Sequence, residues 1–166
     1  MLKKKTAFSL IELLVFVSIL SIFFIMAASV VTVSLRNLKF NENKLKASHY
    51  ASQLEEWLRA QKEIDWGGEL CGTCSNPTNF TQIVTQAGSG NPTIFCFNAS
   101  PITAWDLLGS CPELSLDSIF KREVIFTATP VGGYIGQVNA TITVSWIDLG
   151  LPKSVTTDTL FSVLEQ

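Results

Sequence analysis

The first part of the chain carries an uninterrupted apolar run. Residues 13–35 are 23 consecutive positions without a charge, mostly Leu, Val, Ile, Phe, Ala and Ser, with no Pro or Gly. At a rise of 1.5 Å per residue a helix of this length spans roughly 34 Å, enough to cross the roughly 30 Å hydrocarbon core of a bilayer. The run also exceeds the roughly 7–15 apolar residues of a secretory signal peptide. The pattern therefore predicts a membrane-length helix.

Beyond this run the apolar positions become periodic. Four of them recur at steps of four, three and four, the spacing of one helix face: Ala47, Ala51, Leu54 and Leu58. Leu38 and Leu45, seven residues apart, fit the same helical repeat. Gly67 and Gly68 predict the end of the helix. We therefore expect an amphipathic helix over residues 36–66, directly continuing the apolar one.

The remaining 100 residues begin with loops. Residues 67–90 are rich in Gly, Ser, Thr and Asn, and residues 101–112 lie between two prolines. Both segments predict loop, the second with a helical turn at residues 104–108. Between them, the short apolar run at residues 93–97 predicts a strand.

From residue 120 onward the pattern predicts strands. A strand at residues 124–126 leads into a turn at residues 130–133, and a second turn at residues 150–153 precedes a final strand at residues 154–163. The clearest strand alternates apolar with polar positions through Val138, Ala140, Ile142, Val144 and Trp146. Three meandering strands and the short earlier one form an antiparallel sheet whose apolar face needs cover. The amphipathic helix provides it, so we expect an α+β fold.

Composition and charge exclude several classes of protein. Apolar residues make up 47% of the 166 residues and charged residues only 16%, with a net charge of −2. From residue 67 onward, three Lys and Arg stand against eight Asp and Glu, so this body is acidic and unsuited to binding nucleic acid directly. One His, no Walker loop and no G-x-S-x-G motif indicate a protein that is not an enzyme. We expect no cofactor and no metal site.

The junction before the apolar run carries the most specific motif. Residues 3–14 read K-K-K-T-A-F-S-L-I-E-L-L, which places the carboxylate of Glu12 at the edge of a hydrophobic segment, where it is costly in lipid without a partner. This string resembles the class III signal of type IV prepilins: a short basic leader, a small residue, Phe, and then S/T-L-I-E. The family usually has Gly where this chain has Ala7.

The resemblance implies a processing pathway. Prepilin peptidase would cut between Ala7 and Phe8 on the cytoplasmic side, remove the leader that contains Lys3, Lys4 and Lys5, and methylate the new amine of Phe8. The resemblance further implies four segments, namely a leader at 1–7, a transmembrane and filament-core helix at 8–35, an amphipathic extension at 36–66 and a pilin-like body at 67–166.

The same resemblance implies how the chain would be used. Pilins span the cytoplasmic membrane once, with the N-terminus in the cytoplasm and the body outside, until inner-membrane assembly machinery moves them into an extracellular surface filament. Their hydrophobic helices pack there with those of other pilin subunits. Glu12 would pair with the α-amine of Phe8 on a neighbouring subunit, since buried charges persist when they are paired.

The end of the chain refines this interpretation. The strings F-K-R-E-V at residues 120–124 and I-T-V-S-W at residues 142–146, before a short final strand, resemble minor pilins. Such subunits initiate, modify or decorate a filament, and some serve in cell adhesion. A type II secretion pseudopilin is the nearest alternative, although abundant pseudopilins generally lack cysteines and carry a calcium site near the C-terminus.

The remaining candidate site consists of four cysteines: Cys71, Cys74, Cys96 and Cys111. Outside the cytoplasm disulfides are expected, and of three possible connectivities we favour Cys71–Cys74 with Cys96–Cys111, since both close local loops. The resemblance to minor pilins also implies a loop bridge of the second kind. Two alternatives are a four-thiolate zinc site and a membrane-anchored thiol oxidoreductase using Cys71 and Cys74.

The four tryptophans are interpreted as packing residues. Trp66 and Trp105 lie at the edges of predicted loops, so a role of either in carbohydrate or surface adhesion is an alternative.

Overall fold

A computed structural model describes residues 9–69, 71, 76–86 and 92–163. Within these residues lie two helices, α1 (Leu10–Ile64) and α2 (Phe80–Val84), and five strands: β1 (Thr93–Cys96), β2 (Leu107–Leu108), β3 (Phe120–Val131), β4 (Tyr134–Asp148) and β5 (Leu151–Ser162). The chain divides into two compact units, the first ending at Glu42 and the second beginning at Asn43. The second unit contains the sheet and the helical residues that cover it.

The strands form one antiparallel sheet in the order β2-β1-β3-β4-β5. The long hairpin of β3 and β4 is in register from Phe120 opposite Trp146, with an irregularity at Thr129 and Pro130. Strand β5 pairs along β4 and forms one edge of the sheet. Proline lacks a backbone donor, so Pro130 at the irregularity and Pro152 in the edge strand both occupy positions that tolerate it.

The helical residues of the second unit pack on the apolar face of this sheet. The predicted stripe is buried throughout, and Asn43 and Lys62 extend it by one turn at each end. The facing positions of β4 are buried as their alternation predicts: Val138, Ala140, Ile142, Val144 and Trp146. The predicted α+β, pilin-like architecture is therefore confirmed.

Two leucines expected to follow the stripe lie elsewhere. Leu38 and Leu45 are exposed. Leu45 precedes Ala47 by two residues, which at 3.6 residues per turn is about 200° around the helix. A spacing of seven relates Leu38 to Leu45 but does not relate either of them to the buried face.

The loops differ from prediction in two places. Helix α2 lies inside the segment predicted as loop, and it begins because the Asn79 side chain accepts a hydrogen bond from the backbone N–H of Gln82 at 3.0 Å. The helical turn predicted at residues 104–108 was wrong. Leu107 and Leu108 instead pair with Cys96 and Phe95 as the edge strand β2.

Both hairpin turns are two residues long and left-handed. Gly132 and Gly133 connect β3 to β4 with φ of 61° and 87°. Leu149 and Gly150 connect β4 to β5 with φ of 51° and 79°, so β5 starts at Leu151 rather than at residue 154. Positive φ at both central residues is the type I′ pattern, whose twist matches that of the flanking strands.

The guanidinium of Arg122 is buried between the helix and the sheet, with no exposed surface. Its four hydrogen bonds reach neutral oxygens: the carbonyls of Phe97 (2.8 Å), Ala99 (2.8 Å) and Tyr50 (2.9 Å), and the side chain of Gln53 (3.1 Å). Desolvation by burial lowers the pKa of Arg122 to about 10. The group therefore stays charged at neutral pH, and its bonds to helix α1 and to the loop after β1 are charge-assisted.

Replacing Arg122 by methionine is expected to destabilise the protein by about 2–4 kcal/mol, because the carbonyls of Phe97 and Ala99 lose their donors and cannot themselves be replaced. Chemical unfolding of the full chain in detergent micelles measures the difference. Lys121→Met is the matched control, since Lys121 forms only a partly exposed ion pair with Glu123 at 3.3 Å and its loss should cost under about 1 kcal/mol. Equal effects of the two substitutions would contradict the role of Arg122.

Candidate processing and assembly site

The described chain begins next to the predicted cleavage site. Lys3, Lys4, Lys5, Ala7 and Phe8 lie outside the described residues, so their roles stay predictions. The structure starts at Ser9, which precedes the first turn of α1.

Ser9 forms the start of helix α1. Its carbonyl accepts hydrogen bonds from the backbone N–H groups of Glu12 at 3.0 Å and Leu13 at 3.2 Å. Glu12 is thus in the first turn, where the partial positive charge of the helix end favours a carboxylate. A chain cut at the predicted position would keep this whole turn.

Glu12 is the only charged residue between positions 9 and 35. The large apolar side chains of the same segment are exposed, with exposed fractions of 40% or more. Helix α1 is the single described helix that is long and apolar enough to cross a membrane, with a mean hydropathy of 2.7 over its most apolar window. A surface this apolar needs cover from lipid or from other protein chains, which suggests membrane anchoring.

Four of the five hydroxyl groups in residues 13–35 donate hydrogen bonds within the helix. Ser18, Ser21 and Thr32 each donate to the carbonyl four residues earlier, and Ser29 donates to the carbonyl three residues earlier, at 2.8–2.9 Å. These donors therefore need no water or partner chain when the segment enters an apolar environment. The carboxylate of Glu12 is the charged group of residues 9–35, and its partner must come from outside these residues.

Cys96 and Cys111 form a disulfide with an S–S distance of 2.08 Å. It joins the end of β1 to the segment that precedes β3, and both residues are buried. Cys71 is disulfide-bonded as well. Cys74 lies outside the described residues, so the Cys71–Cys74 pairing stays a prediction.

These bonds disfavour the two other interpretations of the cysteines. A zinc site needs free thiolates, and Cys96 and Cys111 have none to offer; within the described residues no cluster of three His, Cys, Asp or Glu is placed to bind a metal. Cys71 is buried, and its backbone N–H donates to the Thr85 hydroxyl at 3.0 Å. The next helix among the described residues starts at Phe80, and the sheet is antiparallel, whereas a thioredoxin-like dithiol lies at a helix N-terminus in a βαβ unit.

The tryptophans contribute to the core rather than to a ligand site. Trp66 stacks on Phe80 with ring centroids 5.6 Å apart, and its Nε1 donates to the Ile135 carbonyl at 3.0 Å. Trp105 lies 5.2 Å from the rings of both Trp57 and Phe95. These contacts favour the packing role over surface adhesion.

One residue that the sequence reasoning missed is Arg122. It falls in the string F-K-R-E-V, where Phe120 and Val124 are buried and the side chains between them alternate. A period of two places Arg122 on the buried face of the strand, so the signal was present in the pattern.

Comparison with known proteins identifies one family. Residues 2–28 match the family described as the prokaryotic N-terminal methylation motif, which is the class III signal of type IV pilins. No curated protein and no solved structure is significantly similar to the chain. The motif implies processing by prepilin peptidase and assembly with other pilins.

Replacing both Cys96 and Cys111 by serine is expected to lower the free energy of unfolding by about 3 kcal/mol, because the bridge closes a loop of about 15 residues in the unfolded chain. The measurement is denaturant unfolding of the full chain in micelles without reductant. With excess reductant the unmodified chain should lose at least this much stability, because the disulfide of Cys71 is reduced as well. A double variant as stable as the unmodified chain would show that the bridge adds nothing.

Proposed function

We propose that this chain is a structural subunit of a type IV pilus-like filament, and not an enzyme. The observation that carries the proposal is a methylation motif at residues 2–28 that includes the start of an exposed apolar helix, which begins at Leu10. A helix of this kind can be stored in the membrane and later packed against its counterparts in a filament core. The second unit then forms the body that the filament displays.

The proposed processing takes place at the membrane. Prepilin peptidase cuts between Ala7 and Phe8 and methylates the Phe8 amine, after which assembly machinery extracts the subunit from the cytoplasmic membrane. Residues 13–35 have the length needed for a single span. Four of the five hydroxyls of this segment are already bonded within the helix, which supports transfer between lipid and a protein core.

Glu12 would guide assembly in this proposal. It is the one carboxylate of an otherwise uncharged segment, and it lies in the exposed first turn of α1. An unpaired carboxylate in a filament core would carry a large desolvation penalty. Pairing with the Phe8 amine of a neighbouring subunit removes that penalty in only one axial register, so the pair contributes mainly specificity.

Features outside the N-terminal motif favour a minor pilin over a type II secretion pseudopilin. The strings at residues 120–124 and 142–146 favour a minor pilin, whereas a type II secretion pseudopilin shares the same N-terminal signal. The Cys96–Cys111 bridge supports the pilin alternative, because abundant pseudopilins generally lack cysteines. The acidic body argues against direct capture of nucleic acid by this subunit.

The proposal predicts the mass of the mature protein. Protein recovered from its native cell envelope should begin at N-methylated Phe8 and lack the seven-residue leader, as measured by intact mass and N-terminal sequencing. Ala7→Gly should be cut at least as completely, because the small residue is kept, whereas Ala7→Arg should stay uncut. An unmodified chain that still begins at Met1 would refute the proposal and favour a plain membrane-anchored domain.

Glu12→Gln is expected to leave cleavage intact and to reduce entry into filaments about tenfold, because the neutral amide cannot neutralise the Phe8 amine. The readout is the ratio of subunit in sheared filaments to subunit in membranes, determined by quantitative immunoblotting. Glu56→Gln, which removes an exposed carboxylate from the same helix outside the apolar segment, should assemble normally. The pairing idea fails if Glu12→Gln subunits enter filaments at the unmodified level.

A further inference from the structure

The turn between β4 and β5 exposes large apolar side chains on an unfavourable backbone. Ile147, Leu149 and Leu151 are 58%, 77% and 60% exposed, and we call residues 147–151 the tip. Leu149 has a φ of 51°, a left-handed conformation that favours Gly, Asn or Asp. Leucine at position 149 is therefore unfavourable both for the turn and for solvation. A contact made by its side chain would offset both costs.

The apolar groups of the tip point in more than one direction. The register of β4 with β5 places Ile147 opposite Pro152 and Asp148 opposite Leu151, so Ile147 and Leu151 lie on opposite faces of the sheet. Leu149 lies at the end of the hairpin between them. A rigid protein surface would cover one of these faces, whereas a fluid apolar layer can surround the hairpin end on every side. The arrangement thus favours lipid as the contact.

Asp148 limits how deeply the tip can enter such a layer. Its carboxylate lies on the same face of β4 as the buried Trp146 and is partly exposed. A carboxylate is costly in hydrocarbon but remains hydrated among lipid headgroups. The tip can therefore make a shallow contact, in which Leu149 reaches the edge of the acyl chains while Asp148 stays in the headgroup layer.

Contacts inside the second unit show at which end the tip lies. Strand β4 begins beside the end of α1, because the Ile135 carbonyl accepts from Trp66 Nε1 at 3.0 Å. It ends beside Tyr50, since the Phe120 ring lies 5.5 Å from the Tyr50 ring and 5.9 Å from the Trp146 ring. Strand β4 therefore runs back along the helix.

The tip lies beyond Trp146 in the same direction. Three residues of strand cover about 10 Å, which is the rise of about seven helical residues. Counted back from Tyr50, this brings the tip near the level of Asn43, where the second unit begins. The turn at Gly132 and Gly133 lies at the opposite end of β4.

The length of chain before Asn43 keeps this end of the unit close to the apolar run. Eight residues lead from Leu35 to Asn43, which cover about 12 Å at the helical rise and at most about 29 Å fully extended. Headgroups account for about 5–8 Å outside the hydrocarbon core of a bilayer. At the helical rise only a few ångströms remain, which a tilt of about 20°, the average for membrane-spanning helices, can supply.

We propose that the tip rests on the outer surface of the lipid bilayer while the subunit is stored in the membrane, with Leu149 at the boundary between headgroups and acyl chains. The inference rests on the proposed function, because it takes residues 13–35 as the membrane span and the body as lying outside. It assigns the exposed leucine a role before assembly, namely to hold the body against the membrane surface.

Charge makes apolar contact the main source of binding. From residue 67 onward the body carries three basic and eight acidic residues, so anionic headgroups do not attract it. The contact should therefore form on a zwitterionic lipid, and phosphatidylcholine vesicles are the appropriate probe.

The test measures the depth of the tip in vesicles that contain the full chain. Leu149→Cys is labelled without reductant with an environment-sensitive fluorophore; no described cysteine is free, and the unmodified chain measures any background labelling. Quenchers attached to the acyl chains near the headgroups should quench this label at least about threefold more strongly than a label in water, because an interfacial contact reaches about 5–10 Å into the boundary.

Val131→Cys provides the matched control. Val131 is an apolar residue, 76% exposed, that precedes the other hairpin turn at the far end of β4. The same fluorophore at this position should stay in water. Equal quenching of the two labels by lipid would mean that the fluorophore drives the contact, or that neither end reaches the bilayer, and would overturn the inference.

A second variant tests whether Leu149 itself makes the contact. The label is placed at Ile147→Cys, with Leu149 either kept or replaced by asparagine. Asparagine tolerates a positive φ, so Leu149→Asn keeps the turn and removes only the apolar side chain. The replacement should lower quenching of the label at position 147 by lipid. Unchanged strong quenching would contradict the role of Leu149.

The remaining outcomes separate this inference from the proposed function. A label at Ser21→Cys reports whether the apolar segment lies in the bilayer. If it does while the Leu149→Cys label is open to an aqueous quencher, the contact is excluded and the proposed function stands. A Leu149→Cys label shielded from water but not quenched by lipid would mean that the tip contacts another protein chain, which also overturns the inference. An apolar segment that does not enter the bilayer would overturn both.

Discussion

The guanidinium of Arg122 joins the three parts of the second unit, because its four hydrogen bonds end on helix α1 and on the loop after β1, while its own backbone belongs to β3. The Asn98 side chain completes the joint by accepting from the backbone N–H of Arg122 and donating to the Glu113 carbonyl. A buried charge bonded to backbone carbonyls tolerates little movement of any partner. The loop that the Cys96–Cys111 bridge closes is thereby fixed against the helix as well as against the sheet.

The first unit follows the opposite principle. Its helix buries little of its own apolar surface, so its stability depends on what surrounds it. The internal hydroxyl bonds of Ser18, Ser21 and Thr32 allow that surrounding to be lipid or protein without a change in the helix. A single chain can therefore combine a body that folds on itself with a helix that is completed only by its environment.

The sequence pattern correctly predicted the elements in which the spacing of apolar residues repeats several times. The stripe from Ala47 to Leu58 and the alternation from Val138 to Trp146 are each repeated often enough for burial to follow directly from the period. Helix α2 and strand β2 are short, and they depend on a few local contacts: the cap by Asn79, and the pairing of Leu107 and Leu108 with β1. Arg122 was missed because a charged residue was weighed by its type and not by its position in the strand.

The N-terminal motif could be identified from the sequence alone, whereas the surface of the body could not be predicted from it. An enzyme recognises a processing signal in a short stretch of sequence. The motif at residues 2–28 can therefore be identified without knowledge of the fold. A folded surface is assembled from residues distant in the sequence, as in the groove that Val131 and Val163 both line, and no local string encodes it. The processing signal of this chain can therefore be recognised from its first residues, whereas any partner of its body can be inferred only from the folded surface.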